Sequence, residues 1–307
     1  MLLSRLSTRA SALSVLLCGL LLSSCEKEVD INLKDGERKL VVEGAIESGL
    51  PPYVVLTKSL GFLSRIDMST MEDAFVRGAI VKVSDGSHTV TLREYSVDTG
   101  LVGRKFFFYT VDTTDPAAFS FRGEMNKTYR LTISYEGKNY EATTAIPEPK
   151  PLDSLWIEKP SQYLLNKMPK ARVIYFRYTD PDTFGNYIRY FTRTNSSIFY
   201  PGYEGSVLND EIVNGTSVVS SIVPGRERVQ PTDYDSVGVV FVGDTVTVKW
   251  CGIDRAVYEF WSSYVYASNT TGSPFTTPIN LRTNIKGGAL GIWAGYGATF
   301  STIVVKD

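Results

Sequence analysis

The stretch TYRLTISYEGKNYEATTA, residues 128–145, sets the strongest constraint on the fold. Tyr129, Leu131, Ile133 and Tyr135 alternate with Arg130, Thr132 and Ser134. Glu136-Gly137 breaks the alternation, and Tyr140, Ala142 and Thr144 resume it. A period of two sends successive side chains to opposite sides of a strand, and a short break holding glycine reverses the chain. The segment therefore predicts an antiparallel hairpin with one buried face. The pattern returns in AIVKVSDGSHTVTLRE, where Val81 and Val83 precede Asp85-Gly86 and Val90 and Leu92 follow it. RKLVVEGAI (38–46) and PYVVLTKS (52–59) add two β-branched runs, and GRKFFFYTV is a continuous apolar run expected to be covered on both faces. Several short strands with regular turns predict an immunoglobulin-like β-sandwich over 38–146.

IPEPKP follows, with Pro147, Pro149 and Pro151. Alternating prolines cannot donate to a ladder and stiffen the backbone, so 147–151 is expected to link two domains. Residues 152–307 read as a second β-rich domain, with strand patterns such as ARVIYFRYTD, NYIRYFTRT and SVGVVFVGDTVTVKW. One segment, DRAVYEFWSSYVYAS, differs: Val257, Phe260, Trp261, Tyr264 and Val265 trace one helical face, and Asp254 can cap its first turn. Its polar face, with Arg255, Glu259, Ser262 and Ser263, lacks the basic excess of a membrane-lying helix. The fold class is thus mainly β, with one amphipathic helix packed on the second domain.

The first residues bear on location. Arg5 and Arg9 precede an apolar run at 12–22, and Leu22-Ser23-Ser24-Cys25 closes it. The run fits a secretory leader and is too short to span a bilayer. Its end resembles a lipobox, which makes 1–24 a signal peptide and the Cys25 thiol a lipid attachment point. Glu26, Glu28 and Asp30 begin a polar tether over 25–37. Acidic residues just after the lipidated cysteine resemble the export signal of surface lipoproteins of Bacteroidota, so a cell-surface place on the outer membrane is expected. Removing 1–24 leaves 30 Lys and Arg against 33 Asp and Glu, which offers no basic field for nucleic acid. Cys18 leaves with the leader and Cys25 carries lipid, so Cys251 is left without a disulfide partner and is expected to be a buried small hydrophobe.

Catalytic material is scarce. His88, the single histidine, stands beside the Asp85-Gly86 turn, a poor place for the base of a nucleophilic device. Zinc has too few His and Cys ligands. Asp180-Pro181-Asp182 and Asp233-Tyr234-Asp235 place acids two apart, the material of a calcium site or a glycosidase pair, but Asp and Pro also favour plain turns. The glycines of IKGGALGIWAGYG (285–297) lack the Lys-Ser/Thr of a phosphate loop and are expected to let Trp293 and Tyr296 pack closely. No catalytic residue, metal or cofactor is expected. The best recognition candidate is SSIFYPGYEG (196–205), where Phe199, Tyr200 and Tyr203 cluster among Pro and Gly on a loop.

KLVVEGAI, PPYVVLTKS, VRGAIVKVSDG, GEMNKTYRLTISYEGKNYEATTAIPEP, DPDTFGNYIRYF, GDTVTVKWCGIDRAVYEFWSS and SPFTTPINLRTNIKGGALGIWAGYG stand in that order. Together they resemble the Bacteroidota lipoproteins grouped as domain of unknown function 4249. Ser273 before Pro274-Phe275 departs from the family, which usually carries Asn before the C-terminal Pro-Phe. The resemblance implies an outer-membrane lipoprotein with an N-terminal β-sandwich, encoded beside TonB-dependent receptors, and it brings no functional residues. The leading expectation is a non-enzymatic accessory or binding component of TonB-dependent uptake. The alternatives are a surface adhesin or glycan-binding lipoprotein acting without a transporter, and an acid-dependent hydrolase. Radiolabelled palmitate should enter the wild-type protein, and Cys25→Ala should abolish the label and move the protein from the membrane to the soluble fraction.

Overall fold

Alternating side chains become paired strands wherever the sequence sets a turn between them. The computed structural model describes residues 37–61, 68–98, 100, 105–227, 234–270 and 280–307, with only the backbone described at 68, 69 and 71. The signal peptide, Cys25 and the tether as far as Gly36 lie outside the described residues. Strands β1 (Leu40–Glu47), β2 (Tyr53–Lys58), β3 (Ile80–Ser84), β4 (Thr89–Asp98), β5 (Lys105–Thr110), β6 (Thr128–Tyr135) and β7 (Lys138–Ala145) are hydrogen-bonded in the order 1-2-5-4-3-6-7. Short helices α1 (Met68–Asp73) and α2 (Pro116–Phe119) fill two connections. Glu136 and Gly137 sit at φ 47° and 74°, the left-handed pair whose twist matches the strands of a two-residue hairpin.

The inward faces of this half enclose Val42, Leu56, Val83, Leu131 and Ile133, all essentially without solvent contact. β5 corrects one expectation. Phe107 and Tyr109 enter the core, but Phe106 is 41% exposed, so the run is covered on one face only. The outward rings shield each other instead: Phe106 meets Phe75 edge-on at 5.2 Å, and Phe108 stacks on Tyr95 at 6.0 Å.

The second half contributes β8 (Ser154–Glu158), α3 (Gln162–Lys167), β9 (Ala171–Thr179), β10 (Tyr187–Thr194), β11 (Tyr200–Pro201), β12 (Val207–Leu208) and β13 (Ser217–Ile222). It ends with β14 (Val240–Phe241), β15 (Thr245–Ile253), α4 (Arg255–Thr270) and β16 (Leu290–Val304). β9 is the centre of a four-stranded sheet with β8, β13 and β14. Its Ile174, Phe176 and Tyr178 pack across onto Ile188, Tyr190 and Trp250 of β10 and β15. The fold is accordingly mainly β and sandwich-like.

β16 joins the halves. It runs antiparallel to β15 and parallel to β1, from Val41 opposite Leu290 to Glu47 opposite Tyr296. This closes a twelve-stranded sheet ordered 11-10-15-16-1-2-5-4-3-6-7, with β12 also on β10. Residues 37–307 form one compact unit, so the proline connector at 147–151 marks a change of sheet partner inside that unit. The connector lies against β16: a Cβ on Gly297 would collide with the Pro147 carbonyl, and one on Gly295 with the Ala145 carbonyl. Glycine is needed at both positions because backbone meets backbone there.

Alternation along β16 divides its side chains. Trp293 enters the first core, fully buried, and its Nε1 donates to the Tyr129 carbonyl at 3.0 Å. Ile292, Ala294 and Tyr296 face the other way, toward Val257 and Phe260 of α4. Asp254 begins this helix as expected, its Oδ1 accepting from the Val257 amide at 2.9 Å. Its Oδ2 accepts from the Thr144 hydroxyl and the Ala145 amide, and Thr144 Oγ1 accepts from the Gly295 amide, so one carboxylate ties α4 to β7 and, through Thr144, to β16. Trp293→Ala removes the side chain that this arrangement closes upon. It should destabilise the protein by about 3–5 kcal/mol, as truncating a buried aromatic does, and urea titration should show the loss in a single shifted transition.

Candidate functional site

The face of β16 that meets α4 also floors an aromatic-walled opening. A cleft of about 500 Å³ lies between that helix and the strands β1, β10, β15 and β16. Alternation supplies the floor: Arg189 and Phe191 from β10, Lys249 from β15, Tyr296 from β16 and Glu47 from β1. Trp261 and Tyr264 of α4 form one wall, and Phe199 with Pro201 forms the opposite one. The second wall is pinned to β10, because the Tyr190 hydroxyl donates to the Gly205 carbonyl and the Tyr190 amide to the Ser206 carbonyl.

Two cations are held here in different ways. Lys249 pairs with Glu47 at 2.7 Å, with 13% and 15% of the two side chains exposed. Its ammonium also stands 4.5 Å from the Phe191 ring centre and 5.2 Å from that of Phe199. Arg189 is only 5% exposed, yet among the described residues it has no carboxylate within ion-pair distance. Its Nη1 donates to the Tyr296 hydroxyl at 2.7 Å, and its Nε reaches Ser206 Oγ at 3.4 Å. The guanidinium carbon lies over Trp261, 3.4 Å from the ring centre, and 4.7 Å from the ring centre of Phe191. Stacking on a desolvated aromatic is worth roughly 2 kcal/mol. Removing an ion from water costs several kcal/mol, so Arg189 stays underpaid electrostatically.

Tyr296 completes the cluster. Its hydroxyl accepts from Arg189 and from Trp261 Nε1, the latter at 3.1 Å, and burial raises its pKa, so it keeps its proton. Cys251, on the same face, is fully buried with its thiol pushed up to about 12, first by loss of solvent. It is the buried hydrophobe the sequence suggested, since a nucleophile would need thiolate.

The sequence candidates fall unevenly. Phe199 lines the cleft, packs 5.9 Å from Phe300 and carries the Arg193 guanidinium at 4.7 Å. Tyr200 instead lies in β11 opposite Thr192, and Tyr203 sits under the Arg226 guanidinium at 5.0 Å; neither lines the cleft. His88 is exposed on its hairpin, 3.8 Å from Asp85. Asp235 pairs with Lys167 at 2.7 Å, and Asp233 lies outside the described residues. Sequence reasoning missed Arg189, Lys249, Glu47 and Tyr296 as a group. A faint signal existed: Arg189 sits between Tyr187 and Phe191 on one face of a strand whose other face opens with Ile188 and Tyr190.

Asp180 and Asp182 do not converge. Asp180 is buried and Asp182 exposed, and among the described residues no cluster of three or more His, Cys, Asp or Glu has metal-holding geometry. The acidic neighbour of Asp180 is Asp210, whose Oδ2 accepts from the Gly185 and Asn186 amides at 2.7 and 2.8 Å. Asp180 Oδ2 and Trp250 Nε1 are buried without a hydrogen-bond partner among the described residues, both on the lining of a smaller cavity of about 270 Å³. Burial first, and the Asp210 charge second, raise the Asp180 carboxyl above its ordinary value. Folding therefore favours the protonated form; that contribution is whole below the unfolded pKa of about 3.9 and is lost as pH rises through the folded value. As pH rises past the unfolded value, the preference of the folded state for the protonated form becomes a destabilisation. Asp180→Asn should raise Tm at pH 7, by about 2–4 °C for each kcal/mol relieved, and differential scanning calorimetry should show the advantage vanish below the unfolded pKa.

No curated protein matches the chain. A family model described as "Domain of unknown function (DUF4249)" matches residues 26–301, a span that holds the whole cleft and all but the last residues of β16. The chain belongs to that family, DUF4249.

Proposed function

We propose that the protein is a lipid-anchored outer-membrane component that works by contact and without catalysis, as an accessory of a TonB-dependent uptake system. The cleft beneath α4 is the surface through which it meets cargo or receptor. The observation that supports this most is the state of Arg189: a buried guanidinium with no carboxylate partner among the described residues, over Trp261 in an aromatic-walled opening. Concave, largely apolar openings with a few fixed polar groups are where ligands bind. The groups present suit holding a ligand. Lys249 is tied to Glu47, Tyr296 keeps its proton, and Cys251 is a buried thiol. The lipobox at Cys25 supplies the attachment, and the acidic tether supplies reach from the membrane.

Affinity purification of the tagged native protein from detergent-solubilised membranes tests the reading. A TonB-dependent receptor should be recovered, and the double substitution Phe199→Ala with Tyr264→Ala should lower its yield at least threefold. Repeated recovery of no such receptor would remove the uptake role.

A further inference from the structure

We infer that Arg189 is the recognition point for a ligand carboxylate, and that the cleft takes small organic acids with an apolar or aromatic body. This deepens the reading of the cleft as a contact surface and rests on it.

A guanidinium offers five N–H donors in one plane, a fork that matches the two oxygens of a carboxylate. In Arg189, Nη1 is used by Tyr296 and Nε makes a long contact with Ser206. Nη2 makes no hydrogen bond among the described residues. Trp261 at 3.4 Å and Phe191 at 4.7 Å both lie over the guanidinium carbon, so the approach we assign to a ligand is along the edge that carries Nη2. A carboxylate approaching in that plane meets the edge without disturbing the stack.

A second donor stands beside the fork. Tyr296 Oη already accepts from Arg189 and from Trp261, so its own proton is directed to a third partner. The nearby acids do not fill that place. Glu47 is held by Lys249, and Glu43, exposed on the rim, makes no ion pair with Arg189. Beyond the fork the walls are rings: Phe191, Phe199 and Tyr264. A bare inorganic anion would satisfy Arg189 and leave those walls wet, whereas an acid with an apolar body fills both. The volume of about 500 Å³ suits a molecule of metabolite or single-residue size.

Isothermal titration of the full lipoprotein in dodecyl maltoside tests this with N-acetylphenylalanine and N-acetylphenylalanine amide, which differ only in the carboxylate, and with inorganic phosphate as an anion lacking a body. The acid should bind at least tenfold more tightly than the amide, and phosphate should bind weakly or not at all. Arg189→Gln should erase the preference, and Arg189→Lys, which keeps the charge but loses the fork, should retain part of it. Tyr296→Phe, which leaves the ring in the core, should weaken the acid alone and serves should Arg189→Gln fail to fold. Equal binding of acid and amide, binding of neither, or phosphate binding as tight as the acid would overturn the assignment. Receptor recovery in the purification above is scored separately. Recovery without acid preference removes the carboxylate and keeps the contact role, while acid preference without recovery does the reverse.

Discussion

The parallel pairing of β16 with β1 is the contact on which the rest of the structure depends. Seven register pairs join β1 to β16, and two hydrophobic clusters draw residues from both strands of that seam. The seam also explains why the proline connector does not free the second half. The connector runs over Gly252 and Gly297, close enough that neither position has room for a side chain. A strand shared in this way makes burial in each half conditional on burial in the other, which is the physical content of one compact unit.

Much of the local architecture was legible because the signals are local. Alternation and turn chemistry place the β3–β4 and β6–β7 hairpins, and the three-four spacing with Asp254 places α4. The β1–β16 pairing was not legible, since nothing near Val41 specifies a partner some 250 residues away, and non-local pairings carry no pattern of their own in one sequence. The same limit hid half of the work of Asp254. Its capping oxygen is a sequence signal, but its bonds to Thr144 and Ala145 exist only once β7 and α4 meet.

The cleft shows the same division. An apolar cluster on a Pro- and Gly-rich loop pointed to Phe199, and Phe199 is a wall of the cleft. Tyr200 and Tyr203 had the same signal, yet β11 pairing and the Arg226 contact turn them to other uses. Arg189 had almost no signal, because a charged residue in an alternating strand reads as a solvent-facing one. Its burial depends on α4 being laid over the sheet, and α4 is laid there by Asp254 and by the apolar face of β16.

Placing the cleft on the reverse of the seam has a mechanical consequence. Trp293 and its neighbours Ile292 and Ala294 belong to one strand, yet one fills a core and the others floor the cleft. A strand pinned on its inner side by Trp293 cannot shift its outer side without opening the first core, so the hydrogen bond between Arg189 and the Tyr296 hydroxyl is braced from behind. Such pre-organisation reduces the entropy lost on binding, and it allows a poorly paired guanidinium to persist. In a loose site Arg189 would swing out to water. Here Trp261 covers it, Tyr296 holds its Nη1, and the strand beneath is locked from behind.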